Sequence, residues 1–294
     1  MAVPYGFAIC NELFQKLPFA ETCETVRALG YAGLEVAPFT LGPNAAALTH
    51  QERRDLHCAI RDAGISFVGL HWLLAGPPGL HATTSDDAVR RRTWDYLHAL
   101  IDLCSDLADQ STEKDMVADR EVVMVFGSPK QRSAIGGASA YDAGQILTEE
   151  LAAAAPHAES QGVKILLEPL SPDQTNVVTT LAEAAAIVKE IRSPSIQTMF
   201  DVHNAARETQ THSRLLRDFA PLIHHVHVNE RDGREPGTGT YNFGELLSTL
   251  ADLKYSGWVS LEVFDFSRGP IEIARDALHY LSAALPSSAL PQSI

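Results

Sequence analysis

Eight times along 294 residues, a short run of apolar and β-branched residues gives way to a longer segment with apolar residues at three- and four-residue spacing. That alternation restricts the chain to parallel strands joined by helices. The strands are predicted at Tyr5–Cys10, Gly33–Ala37, Ser66–Leu73, Glu121–Phe126, Val163–Glu168, Ile196–Asp201, Ile223–Val228 and Trp258–Val263. Leu97, Leu100, Ile101 and Cys104 form one helical stripe, and Leu181, Ala184, Ala185 and Val188 form another. Gly30, Gly64, Gly162 and Gly257 stand just before strands, where helix C-caps are expected.

Two architectures accommodate eight βα units: an open doubly wound sheet or a closed barrel. No Gly-x-Gly-x-x-Gly follows the first strand, and no composition break divides the chain. We therefore expect one α/β domain over residues 1–294, a single (β/α)₈ TIM barrel, a fold that typically takes about 250 residues. The surplus falls in Pro43–His50, Ala75–Asp87 and Gln110–Arg120, and the Pro- and Ser-rich tail 286–294 is expected to fray.

Charge narrows the partners. With 23 Lys+Arg against 37 Asp+Glu the formal charge is -14, which opposes nucleic acid or an anionic membrane as a partner. No apolar run reaches the roughly 18 residues of a membrane span, and the start "MAVPYGFAIC" lacks the pattern of a secretory signal. Cys10, Cys23, Cys58 and Cys104 stand singly, without metal or disulfide spacing, so a cytoplasmic protein with reduced thiols is expected. Nothing in these numbers fixes an oligomeric state, and a homo-oligomer is compatible with them.

Four consecutive strands end on acids or histidine. "KILLEPL" carries Glu168, "QTMFDVHN" Asp201, "HHVHVNE" His227 and "WVSLEVF" Glu262, at separations of 33, 26 and 35 residues, about one βα repeat each. In a barrel those strand ends face one pocket. Three carboxylates in one pocket repel unless a cation neutralises them. One imidazole with three oxygen ligands suits one divalent metal, Mn²⁺ first, with Mg²⁺, Co²⁺ or Zn²⁺ as alternatives. Strand alternation turns His225 and His227 to one face and His224 to the other; His227, nearest the strand end, is the ligand chosen.

"LLEPL", "FDVHN", "HVHVNE" followed by "GTGTYNF", and "SLEVF" resemble the sugar isomerase and epimerase family with the xylose-isomerase-like TIM barrel, near its ketose 3-epimerase branch. The likeness covers most of the chain and is strongest from Val163 to Phe266. "GYAGLEVAPF" and "GISFVGLHWLL" are similar to the second and third strands. The resemblance implies one metal held by Glu168, Asp201, His227 and Glu262, with the two glutamates also acting as the catalytic acid/base pair. It implies epimerisation or isomerisation of a non-phosphorylated keto-sugar or related polyol through a metal-stabilised enediolate.

The sequence also departs from that branch. Where the ketose epimerases grip substrate with a second glutamate, a histidine and an arginine, counting gives Gln174, Asn204 and Gly233, with His203 and Arg234 displaced by one position. Substrate contacts are therefore expected from Gln174, His203 and Arg234, and from His71 and Trp72 of "GLHWLL", where an indole can stack on a sugar. Asn11 and Glu35 either bond substrate hydroxyls or cap loops, and Gly237 and Gly239 make either a lid or a simple turn. Three other functions compete. A lyase or dehydratase on a keto-sugar, keto-inositol or keto-glycoside would use the same four ligands. An AP endonuclease shares His71 with them, but needs a histidine at the end of strand four where the chain has "VFGSP". A non-catalytic sugar-binding barrel has little need of clustered acids.

Overall fold

A computed structural model describes residues 5–108 and 120–285. Eight parallel strands close into a barrel in chain order: β1 (Gly6–Cys10), β2 (Gly33–Val36), β3 (Ser66–Leu70), β4 (Val122–Phe126), β5 (Val163–Leu167), β6 (Ile196–Asp201), β7 (Ile223–Val228) and β8 (Trp258–Leu261), with β8 pairing β1. Around them run α1 (Phe19–Leu29), α2 (His50–Ala63), α3 (Asp87–Leu107), α4 (Pro129–Arg132), α5 (Ala140–Ser160), α6 (Leu181–Ile191), α7 (His212–Phe219), α8 (Phe243–Asp252) and α9 (Pro270–Ala283). The strands lie where the sequence places them, though β3 stops three residues early, so His71 and Trp72 belong to the loop above it. Residues 110–119 of the third surplus segment and the tail 286–294 lie outside the described residues. Among the described residues no helix is long and apolar enough to cross a membrane.

Local chemistry fixes the helix ends. Thr49 with Glu52 and Thr180 with Glu183 form capping boxes that open α2 and α6. Gly30 and Gly64 close α1 and α2 in the left-handed conformation, as expected, and Gly162 lies one residue beyond the Gln161 cap of α5. Gly257 is different. The left-handed turn after α8 is taken by Lys254, and Gly257 serves instead for close approach: a Cβ there would meet Tyr255 Oη at 2.4 Å and His224 O at 3.0 Å.

The barrel interior changes character along its axis. Ala8, Val68, Val123, Val125, Leu166, Met199 and Trp258 make a dry layer, while the larger apolar clusters lie between sheet and helices. A polar set is buried in the barrel as well: Cys10, Glu35, His71, His225, His227 and Ser260 are each at most 1% exposed. Register explains part of this, since Cys10 stands opposite Glu35, Asp201 opposite His227 and His227 opposite Ser260.

Candidate active site

The end of β5 delivers Glu168, the last residue of β6 is Asp201, His227 sits one residue before the end of β7, and Glu262 directly follows β8. Ligand-type atoms of all four lie within 4.8 Å of one another and all four residues are buried. His227 Nδ1 is 3.1 Å from Glu262 Oε2 and 3.7 Å from Asp201 Oδ2, yet this buried nitrogen has no hydrogen-bond partner. An orphaned imidazole nitrogen facing carboxylate oxygens fits a divalent cation bound at Nδ1, and the oxygen-rich donor set favours the harder metals.

The opposite nitrogen explains how His227 is aimed. His227 Nε2 lies 3.1 Å from both carboxylate oxygens of Glu35, which is fully buried and also meets His225 Nε2 at 2.9 Å. With the proton on Nε2, His227 donates to Glu35 and turns the Nδ1 lone pair toward the acids, the usual arrangement of a carboxylate behind a metal-binding histidine. Glu35 is therefore neither a hydroxyl ligand nor a loop cap. His225 is the interior hydrogen-bonder the strand alternation predicts, while His224 turns outward to Glu121.

Each of the other acids has its own support. Asn204, in the 3-10 turn after β6, donates from its backbone to Asp201 Oδ1 at 2.6 Å and from Nδ2 to Glu168 Oε1 at 2.9 Å. Its Oδ1 accepts from Gln174 at 2.7 Å. Asn229 donates to the other Asp201 oxygen at 3.1 Å. Gly127 leaves room for the Glu168 carboxylate, since a Cβ at that position would fall 2.1 Å from Oε2. Trp72 donates its indole N–H to Glu262 Oε1 at 2.8 Å from a left-handed backbone with φ 51°, a conformation costly for a bulky residue and concentrated at functional sites.

Crowding these groups shifts their ionisation in opposite directions. Burial, then the charges of Glu262 and Asp201, hold the Glu168 carboxyl well above the usual carboxylate range, and burial with Glu262 raises Asp201. Burial pushes the same way at Glu262, yet the positive charge of His227 beside it brings it below its ordinary value. His227 is held well above the ordinary histidine value: burial works against its charge, but Glu35 and Glu262 outweigh it. Arg132 adds a fully buried guanidinium, tied to the carbonyls of Phe126 and Val178; burial lowers it to about 10, and Glu168 opposes that shift.

A pocket opens over Glu168 and Glu262, walled by His71, Trp72, Gln174, Asn204 and Phe264. Of the expected substrate contacts, His71, Trp72 and Gln174 line it; His203 and Arg234 do not. His203 Nδ1 bonds the Arg231 carbonyl at 2.8 Å, and Arg234 pairs with Asp232 at 2.8 Å in the turn after β7. The ring of Phe264 packs against Gly233, where a Cβ would meet it at 2.5 Å. Asn11 bonds Thr40 and the Ala37 backbone, making it a loop tie. The glycine-rich "GTGTYNF" segment is pinned by Glu230, which accepts from the backbones of Gly237 and Tyr241. Glu12 and Arg132 escaped the sequence reading because they lie in short turns, and Asn229, directly after β7, escaped it because an amide is not marked as a ligand type.

A closed parallel barrel with its acid and imidazole cluster at the C-terminal strand ends defines a (β/α)₈ protein of the enzyme-bearing type. The chain belongs to the xylose isomerase-like TIM barrel family, whose model matches residues 23–284. It is 30% identical over 117 residues to a D-psicose 3-epimerase of Agrobacterium fabrum, a match covering 40% of this chain and 40% of that protein. It is 23% identical over 292 residues to a fructoselysine 3-epimerase of Shigella flexneri, covering 96% and 98% respectively. The crystal structure of a D-psicose 3-epimerase in the presence of D-fructose superimposes with a TM-score of 0.79 at 20% identity, covering 95% of this chain and 99% of that one.

Proposed function

We propose that the chain is a divalent-metal-dependent epimerase or isomerase of a non-phosphorylated keto-sugar or related polyol, with Glu168 and Glu262 carrying the proton. The observation that carries the reading is that these two glutamates, from β5 and β8, line one cavity while also sharing a four-residue ligand set with Asp201 and His227. The relatives named above are sugar epimerases, which favours the same chemistry. A cation held by the four side chains supplies the positive charge that makes a developing oxyanion affordable.

The residues do the rest. Substrate enters the cavity with its carbonyl-bearing carbons between the two carboxylates. One glutamate removes the proton next to the carbonyl, leaving an enediolate, and the other returns a proton to the opposite face or to the neighbouring carbon. Trp72 and Asn204 each hold one carboxylate oxygen by an N–H bond, which fixes the carboxylates across the gap. Among the described residues the lining includes no lysine or arginine to grip a phosphate ester, which favours a non-phosphorylated substrate.

One observation favours a second reading. Gln174 is engaged with Asn204, and Phe264 fills the space over Gly233, so the ketose grip differs from that of the epimerases the sequence resembles. The same carbanion then suits β-elimination from a keto-glycoside or keto-inositol. Mass spectrometry of product formed in deuterated water tests both. Epimerisation or isomerisation gives a product of unchanged composition carrying one solvent deuteron, whereas elimination changes the composition. No exchange of any substrate hydrogen by the manganese-loaded chain, across free ketoses and keto-glycosides, would remove the proposal.

A further inference from the structure

Glu262 belongs to a second buried set. With Glu12, in the 3-10 turn after β1, and His71, directly after β3, it brings ligand-type atoms within 4.8 Å of one another, and Glu262 is the one residue this set shares with the first. His71 is fully buried and neither of its ring nitrogens has a hydrogen-bond partner; Glu12 Oε2 is likewise buried and unpartnered. Nevertheless His71 Nε2 lies 2.9 Å from Glu12 Oε2. Two buried polar atoms that close, with no hydrogen bond between them, are satisfied by a partner they share.

The first set shows the same signature, where His227 Nδ1 stands 3.1 Å from Glu262 Oε2 without a hydrogen bond. Ligands bound to one small divalent cation at about 2.1 Å and at right angles are about 3 Å apart, which matches both contacts. The deeper groups built on Glu35 differ, because its oxygens already receive His225 and His227. We propose that Glu12, His71 and Glu262 form a second divalent-cation site, weaker than the four-residue site and joined to it through Glu262. Three protein ligands against four make it the weaker, and a carboxylate pair with one imidazole suits Mn²⁺ or a similar oxygen-preferring ion. His71 and Glu262 both line the cavity, so an ion there would offer a second anchor for substrate oxygens away from the reacting carbons. The inference rests on the proposed four-residue site only through Glu262.

Manganese titration of the metal-stripped full chain, with free Mn²⁺ counted by electron paramagnetic resonance, tests it without any substrate. The wild type is expected to bind two Mn²⁺ per chain, one tightly and one weakly, with spin-coupled lines in the frozen sample only above one equivalent. Glu12→Gln and His71→Asn should each lose the weak ion and the coupling while keeping the tight ion, whereas Asp201→Asn should weaken the tight one. A wild type that saturates at one ion unaffected by Glu12→Gln overturns the second site and leaves the proposed function standing. So does a second ion that survives Glu12→Gln. Failure to bind any manganese removes both. Should the variants not fold by circular dichroism, the wild-type spectrum decides: coupled lines support the pair, and isolated-ion lines at every loading refute it.

Discussion

Replacing Glu35 by glutamine tests whether the buried carboxylate aims His227, the proposed metal ligand, or merely fills the core. Glu35 accepts from His225 at 2.9 Å and His227 at 3.1 Å, and has His71 Nδ1 at 3.5 Å. Glutamine keeps the shape but turns one acceptor into a donor, so one imidazole N–H is left facing an NH₂ group. A buried polar group left unsatisfied costs about 1–3 kcal/mol, and the lost charge partner takes the total toward about 3–5 kcal/mol. His227 is then free to shift its proton to Nδ1, the nitrogen facing Asp201 and Glu262, which should weaken manganese binding by about 10–100-fold, or about 1.4–2.7 kcal/mol. Calorimetric titration with Mn²⁺ measures the second figure and denaturant unfolding of the metal-free chain the first. The imidazoles set the pH dependence. Burial opposes ionisation of Glu35, but His225, His227 and His71 outweigh it and hold the carboxyl well below its ordinary value. Its contribution should therefore be fully present above the unfolded carboxylate value of about 4.3 and be lost as pH falls through the folded value. A variant that loses stability but binds manganese as tightly as wild type would refute the aiming role.

Glu168→Gln and Glu262→Gln should stay folded and, at saturating Mn²⁺, lose at least about 10²-fold in turnover with altered solvent deuterium exchange; full exchange in both would reduce these glutamates to ligands. Gly127→Ala should leave the barrel intact but displace the Glu168 carboxylate, lowering kcat/KM by up to about 10²-fold, and steady-state kinetics with circular dichroism separates that from misfolding. Chelation should lower Tm more at pH 8 than at pH 6. Glu168, Asp201 and His227 all have folded values above their unfolded ones, so their support for the metal-free fold is complete below the unfolded values and is lost as pH rises, while metal binding gains from deprotonation. At 100 times Kd, bound metal adds about 2.7 kcal/mol. Equal Tm shifts at the two pH values in differential scanning fluorimetry would contradict this.

The strands and the convergence of four strand-end residues were legible because each is a property of position along one strand. Short continuous apolar runs mark the sheet, and Glu168, Asp201, His227 and Glu262 end four of them at about the same station. Arg234 and His203 stand one residue off the expected pattern and do not line the cavity; Asp232 and the Arg231 carbonyl take up the two groups. Glu12 and Arg132 lie in short turns without periodicity, and Gly127 matters only once the position of the Glu168 carboxylate is known.

Glu35 shows why the support behind the four-residue cluster was harder to read than the cluster. On its own strand it is an acid among apolar residues, open to several roles; its meaning arises from His225 and His227 five strands away and from His71 beside them. Such a group is tolerated in a barrel interior only if nearly every donor has an acceptor. Among the described residues of this interior, His225 Nδ1 and Glu12 Oε2 are unpartnered along with His227 Nδ1 and both nitrogens of His71, and two of these imidazoles, His227 and His71, meet the acids at the barrel mouth. Each faces carboxylate oxygens at about 3 Å, and one species that satisfies such an arrangement without a hydrogen bond is a cation. The polar interior thus constrains the chemistry from below: Glu35 fixes which nitrogen of His227 is offered upward, and that choice decides whether the acids above it face a ligand or a proton.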